Sequence, residues 1–156
     1  MMTLVDDDVA VYRRHADALI RYATALVGPD DAPDVVVDAV LAAFRSPGWR
    51  TVANPRAYLY RSVLNRAMQQ RRSDERRQRR EHLVALEGVA APAEPAVDAH
   101  RALGQLSPQQ RAVVYLTYWD DLTPTQVAEA LGVGEGTVRK QLARAREQLR
   151  RILDEH

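Results

Sequence analysis

Residues 122–153, LTPTQVAEALGVGEGTVRKQLARAREQLRRIL, constrain this chain more than any other stretch. Thr123-Pro124 predicts a helix start, a hydroxyl N-cap followed by a proline whose missing N–H costs nothing at the first helical position. Gln126, three residues after Thr123, completes a capping box. Val127, Ala128 and Leu131 follow at helical spacing, and Gly132 is placed to take the left-handed conformation that ends a helix. A second helix is predicted from about Glu135, with Val138, Leu142, Ala145, Leu149 and Ile152 on one stripe. Away from that stripe lie Arg139, Lys140, Arg144, Arg146, Arg150 and Arg151, against Glu147. One face is built to pack and the other to meet an anion, the pattern of a helix-turn-helix whose second helix enters a DNA groove.

The net charge of +1 conceals strong segregation. Residues 1–44 carry eight acids (Asp6, Asp7, Asp8, Asp17, Asp30, Asp31, Asp34, Asp38) against three arginines, whereas residues 45–80 carry eleven arginines against Asp74 and Glu75. Residues 81–100 then hold four acids and no Lys or Arg. Blocks of opposite sign imply different surfaces for different partners. With no cysteine there is no disulfide or thiolate site, which fits a cytoplasmic location. The acidic start MMTLVDDDV is unlike a signal peptide, and no run approaches the ~20 apolar residues of a membrane span, so membrane insertion is not expected.

The reading is helical almost throughout. Helices are predicted over about 9–27 and 32–44, stopped by Gly28-Pro29 and by Ser46-Pro47-Gly48. A loop over 46–54 contains Trp49. A third helix opens at Asn54-Pro55 and is expected to dissolve into RRSDERRQRR. Residues 84–97, VALEGVAAPAEPAV, read as linker. Fully extended, 81–97 would reach roughly 55 Å at about 3.3 Å per residue, enough to let two domains occupy separate sites on one duplex. A short helix over 98–105 and a capped helix opening at Ser107-Pro108-Gln109-Gln110 precede the helix-turn-helix. The expected fold is all-α: a three-helix domain at 1–80, an acidic flexible linker at 81–97 and a four-helix domain at 98–156.

A second constellation lies at 55–80, where Arg56, Arg61, Arg66, Arg71 and Arg72 alternate with Tyr58, Tyr60, Asn65, Gln69 and Gln70. Arginines hold phosphates, aromatics stack on unpaired bases and amides pair with base edges. Trp49 is of the kind that wedges into a base stack. The plainer reading makes the tyrosines core and the arginines a solvated helix end. Catalysis finds no support: the histidines are scattered, the serines lack a nucleophile elbow, and no phosphate-binding loop occurs. No enzyme activity, catalytic residue, cofactor or metal is therefore expected.

With both ends in view, the chain resembles bacterial RNA polymerase sigma factors of the extracytoplasmic-function type, looking closest to short actinobacterial members. LSPQQRAVVYLTYWDDLTPTQVAEALGVGEGTVRKQLARAREQLR is similar to the family's region 4, VYRRHADALIRYATALVGPDDAPDVVVDAVLAAF to regions 2.1 and 2.2, and PRAYLYRSVLNRAMQQRR to regions 2.3 and 2.4. The resemblance implies a subunit that binds core RNA polymerase and directs promoter recognition, DNA melting and transcription initiation. It assigns Asp34 and Asp38 to the polymerase clamp. Trp49, Arg56, Tyr60, Arg61, Asn65 and Arg66 would serve the −10 element, and Thr137, Arg139, Lys140, Arg144 and Arg146 the −35 element. It implies core polymerase and promoter DNA as partners, allows an anti-sigma factor, and leads us to expect a monomer when free. Gly134 and Lys140 stand where the family often has serine, so the start of the recognition helix should be looser by a few tenths of a kcal/mol and the preferred −35 sequence altered. The alternative is a free-standing helix-turn-helix regulator, which predicts a dimer on a palindrome. An RNA-binding antiterminator fits less well, because A-form RNA closes its major groove to side chains.

Overall fold

The computed structural model describes residues 6–84 and 99–154. Among these lie seven α-helices and one short 3₁₀ turn: α1 Asp6–Val27, α2 Ala32–Arg45, the turn Trp49–Thr51, α3 Pro55–Val84, α4 Ala99–Gly104, α5 Pro108–Tyr118, α6 Pro124–Leu131 and α7 Glu135–Asp154. The described residues contain no strand, as expected. Residues 85–98, most of the expected linker, lie outside the described residues.

The N-terminal module forms from three helices with simple local causes. Gly28 at φ +89 lets α1 end, its N–H bonding back to Thr24 O at 2.9 Å. In α2 the pairs Val35–Val36, Ala39–Val40 and Ala43–Phe44 are buried, a four-residue repeat that leaves Asp34, Val37 and Asp38 along the outer edge. In α3 the buried set Leu59, Tyr60, Val63, Leu64 and Ala67 closes the bundle. Asn54 caps this helix, its Oδ1 accepting from the Ala57 N–H at 3.1 Å.

The arginine run does not dissolve as expected, because α3 continues to Val84. Arginine and glutamine are good helix formers. Arg71–Glu75 (3.0 Å) and Asp74–Arg77 (3.0 Å) add pairs one turn apart that offset the like-charge repulsion.

The C-terminal module matches its sequence signals closely. Capping boxes form at Ser107–Gln110 and Thr123–Gln126, and Gly132 ends α6 at φ +71. In α7, Val138, Ala145 and Ile152 are buried at steps of seven, with Leu142 and Leu149 partly buried beside them.

The two modules do not stand apart. One apolar cluster runs from Leu19 in α1 through Leu59 and Val63 in α3 to Leu116, Val127 and Val138 in the C-terminal module. Tyr22 of α1 stacks on Tyr60 (centroids 4.7 Å) and packs against Tyr115 of α5 (5.8 Å). The sequence carried two amphipathic modules but no signal for this shared core, since each apolar stripe could equally close its own bundle.

Candidate nucleic-acid interface

Helix α7 presents its cations outward. Burial of the Val138–Ala145–Ile152 stripe leaves Arg139, Arg146 and Arg150 along one flank and Thr137, Lys140, Arg144 and Arg151 along the other, all of them exposed. Arg139 makes a loose pair with Glu135 at 3.4 Å, and Arg151 one with Glu147 at 3.6 Å. Such exposed pairs are worth little, so a phosphate can displace them. Arg146 is engaged more firmly: its Nε donates to Tyr118 Oη at 2.7 Å, and its guanidinium lies 5.6 Å from that ring's centroid. Of the five residues expected to meet the −35 element, Thr137, Arg139, Lys140 and Arg144 project free of the C-terminal core, while Arg146 rests on Tyr118.

The residues expected to serve the −10 element do not form one open face. Trp49 is buried, tilted against Phe44 (4.9 Å) and edge-on to Tyr58 (5.6 Å), with its indole N–H donating to Asp8 Oδ1 at 2.9 Å. In this conformation it is a core residue and not an exposed wedge. An aromatic after a turn fits either role by sequence, and the apolar pocket formed by Phe44 and Tyr58 decides between them. Tyr60 is also buried, and burial, the largest influence, pushes its phenol pKa up.

Arg56, Tyr60 and Arg61 turn toward the C-terminal module. Arg56 donates to Tyr60 Oη at 3.2 Å and sits 3.8 Å from the Asp120 carboxylate, while the Tyr60 hydroxyl reaches Asp120 Oδ2 at 3.4 Å. Arg61 donates to the Glu129 carbonyl at 2.9 Å and lies across Gly132, where a Cβ would come within 2.6 Å of its Nε. Arg66 turns the other way, pairing with Asp38 of α2 at 3.1 Å and with Gln69 at 3.2 Å. Asn65 is exposed between the two groups.

The acidic edge of α2 is open. Asp34 and Asp38 flank Val37, which is 47% exposed despite its apolar side chain. An apolar residue between two carboxylates suits a protein partner with a basic, partly apolar surface.

Several contacts between the modules have no counterpart in the sequence signals, although Asn54 is marked there as a helix start and Arg71 as a phosphate-binding candidate. Asn54 is both the cap of α3 and a donor to Glu129 Oε1 at 3.1 Å. Arg111 binds three carbonyls, those of Leu26, Gly104 and Leu106, and Arg71 donates to Leu106 O at 2.9 Å. Burial, then the nearby Arg71, lowers the Arg111 pKa. The Asn54–Glu129, Arg71–Leu106 and Arg111–Leu26 contacts join segments far apart in sequence, and nothing local marks them. Among the described residues, no cluster of His, Cys, Asp and Glu could hold a metal ion.

Comparison with known proteins agrees with this layout. The Sigma-70 region 2 family matches residues 11–77, and the Sigma-70 region 4 family matches residues 96–149. The chain is 36% identical over 152 residues to the ECF RNA polymerase sigma factor SigM of Mycobacterium tuberculosis, covering 92% of this chain and 75% of that protein. It belongs to the extracytoplasmic-function sigma factors. This sigma factor is also 33% identical to the RNA polymerase sigma-E factor of Streptomyces coelicolor, covering 90% of this chain and 82% of that one. Two solved structures share its fold. One is the sigma factor RpoE in complex with the anti-sigma factor NepR from Bartonella quintana (TM-score 0.70, 26% identity, 96% of this chain and 98% of that one). The other is CnrH in complex with the cytosolic domain of CnrY (TM-score 0.62, 26% identity, 95% and 88%). A sigma factor directs transcription initiation by RNA polymerase. Among the described residues, no helix is long and apolar enough to cross a membrane.

Proposed function

We propose that the labour of initiation is divided along the chain. Residues 1–80 form the module that docks on core polymerase and handles the −10 element, residues 81–97 connect, and residues 98–156 read the −35 element. The Asp34–Val37–Asp38 edge of α2 meets the basic surface of the polymerase clamp. Arg56, Arg61 and Asn65 of α3 take the separated strand, the guanidinium groups on phosphates and the amide on a base edge. Thr137, Arg139, Lys140 and Arg144 of α7 enter the major groove, with Arg146 toward the backbone. No nucleotide hydrolysis by this chain is needed, because strand separation draws on binding energy.

The single observation that carries this reading is the charge layout on exposed surfaces: an acidic edge on α2 and a cationic face on α7. A free-standing regulator has no use for the first. One solved neighbour was captured with the anti-sigma factor NepR, which supports such a protein as a further partner; alone, the chain acts as a monomer.

The test is run-off transcription with core polymerase on the chain's own upstream region. A discrete transcript that needs both components supports the assignment. It would be lost with Asp34→Ala through weaker core binding, and with Arg144→Ala through weaker DNA binding. Equal loss of core binding in both variants would refute the division of labour.

A further inference from the structure

Among the described residues, the large apolar and aromatic side chains left in solvent are Val37, Tyr118, Trp119 and Leu153. Of these, Tyr118 holds a cation of the DNA-facing helix. It is the last residue of α5 and is 48% exposed, and the packing of α5 on α7 sets its ring beside Arg146. The Arg146 Nε donates to Tyr118 Oη at 2.7 Å, and the guanidinium carbon lies 5.6 Å from the ring centroid. A free surface arginine samples many rotamers. This double contact removes much of that freedom before any ligand arrives.

The donors left over point to what the pair binds. Only the Nε of Arg146 is used, and its Nη groups have no acceptor among the described residues. The Tyr118 oxygen accepts that Nε hydrogen, so its own O–H remains to donate, again with no acceptor among the described residues. Arg139 and Arg151 each lean on a carboxylate one turn away, Glu135 and Glu147, which a phosphate would have to displace. The partner of Arg146 is neutral, so its charge is oriented without being cancelled. Paired N–H groups in a fixed fork match the paired oxygens of a phosphodiester.

We propose that Tyr118 and Arg146 form one clamp for a backbone phosphate beside the bases that α7 reads. Tyr118 donates its own hydrogen bond to that phosphate and positions Arg146, whose Nη edge supplies the charge. Because the two residues come from α5 and α7, the grip fixes the whole module on the duplex and sets the angle at which α7 enters the groove. Phosphate contacts set register and carry no sequence information directly, so the clamp strengthens binding evenly across −35 sequences. The inference rests on α7 as the major-groove helix, and the experiment below separates the two claims.

Holoenzyme reconstituted with the full chain is titrated with a labelled promoter duplex from the chain's own upstream region. The duplex carries ordinary phosphates or a single neutral methylphosphonate, moved one position at a time through its −35 part. Tyr118→Phe keeps the ring beside the guanidinium and removes both hydrogen bonds of the hydroxyl. It should bind the ordinary duplex about tenfold more weakly, the scale of a hydrogen bond to a charged group. Arg146→Ala should bind at least as weakly and lower the slope of log affinity against log salt by about one. At one position the methylphosphonate should weaken the parent by a similar factor and leave both variants unchanged, because the contact it removes is already gone. Core affinity of Tyr118→Phe in a pull-down should equal the parent's. Parent-like duplex affinity of Tyr118→Phe would overturn the clamp. So would weaker binding that keeps the parent's response at every phosphate, the signature of a merely structural residue. If Arg144→Ala and Arg146→Ala weaken binding while Tyr118→Phe does not, the helix assignment stands and the clamp alone falls. Parent-like binding by all three would overturn α7 as the reading helix and the clamp with it.

Discussion

Replacing Tyr22 with phenylalanine should stabilise the protein, although Tyr22 is among its most buried side chains. The ring is 0% exposed and stacks on Tyr60 at 4.7 Å, contacts that phenylalanine keeps. What is lost is a hydroxyl with no partner. A buried, unsatisfied polar group costs about 1–3 kcal/mol. Against that stand a few dispersion contacts of the oxygen, worth about 0.1–0.2 kcal/mol each. The net gain is about 1–2 kcal/mol, or roughly 2–8 °C in Tm for a chain of this size. Thermal unfolding followed by circular dichroism at neutral pH measures it.

Alkaline pH gives a second, independent signature. Burial first, then Tyr60 and Asp120, raise the Tyr22 pKa above that of an ordinary phenol. A raised pKa means the folded state holds the proton more tightly than the unfolded chain. Stability from this source is therefore complete below about pH 10, where the unfolded phenol is still protonated, and drains away above it. Tyr60 and Tyr115 are raised in the same direction, so both proteins weaken in alkali. The advantage of Tyr22→Phe should nonetheless widen above about pH 10. A Tm equal to or below the parent's, with a pH-independent difference, would refute the reasoning.

Other substitutions probe separate parts of the account. Arg139→Ala or Arg144→Ala should weaken −35 duplex binding by about 1–3 kcal/mol if each guanidinium grips a base edge, with core affinity unchanged in a pull-down. Asp34→Ala should lower core affinity and leave duplex binding by α7 intact, read by the same pair of assays. Gly132→Ala should lower Tm by at least about 1 kcal/mol equivalent, since alanine resists a positive φ and its Cβ would strike Arg61. A neutral result there would mean that Arg61 does not lie across the turn. Trp49→Ala should cost about 3–5 kcal/mol in denaturant unfolding, as expected of a core aromatic, whereas an exposed wedge would cost almost nothing.

Much of the local architecture was legible in the sequence, because local chemistry controls it. Thr123, Pro124, Gln126 and Gly132 define α6 without reference to anything distant, and both capping boxes form as read. The outward face of α7 follows from the seven-residue spacing of Val138, Ala145 and Ile152. Legibility fails where the outcome depends on long-range packing. The arginine run reads as a fraying end by charge, yet helix propensity and one-turn ion pairs carry α3 to Val84. Trp49 and Tyr60 read as nucleic-acid contacts by type and are buried by neighbours that sequence cannot locate. Arg61 reaches Glu129, 68 residues away, and Arg111 reaches Leu26, 85 residues away, both beyond any periodicity. So the two modules could be named from sequence, while their closure against each other could not.

Footprinting of the reconstituted holoenzyme on the chain's own promoter tests the central claim most directly. Two separate protected stretches on one duplex, with permanganate-reactive thymines only in the downstream stretch and only when core polymerase is present, are what the account predicts. A single symmetric footprint produced by the chain alone, with no reactive thymines when core is added, would contradict it.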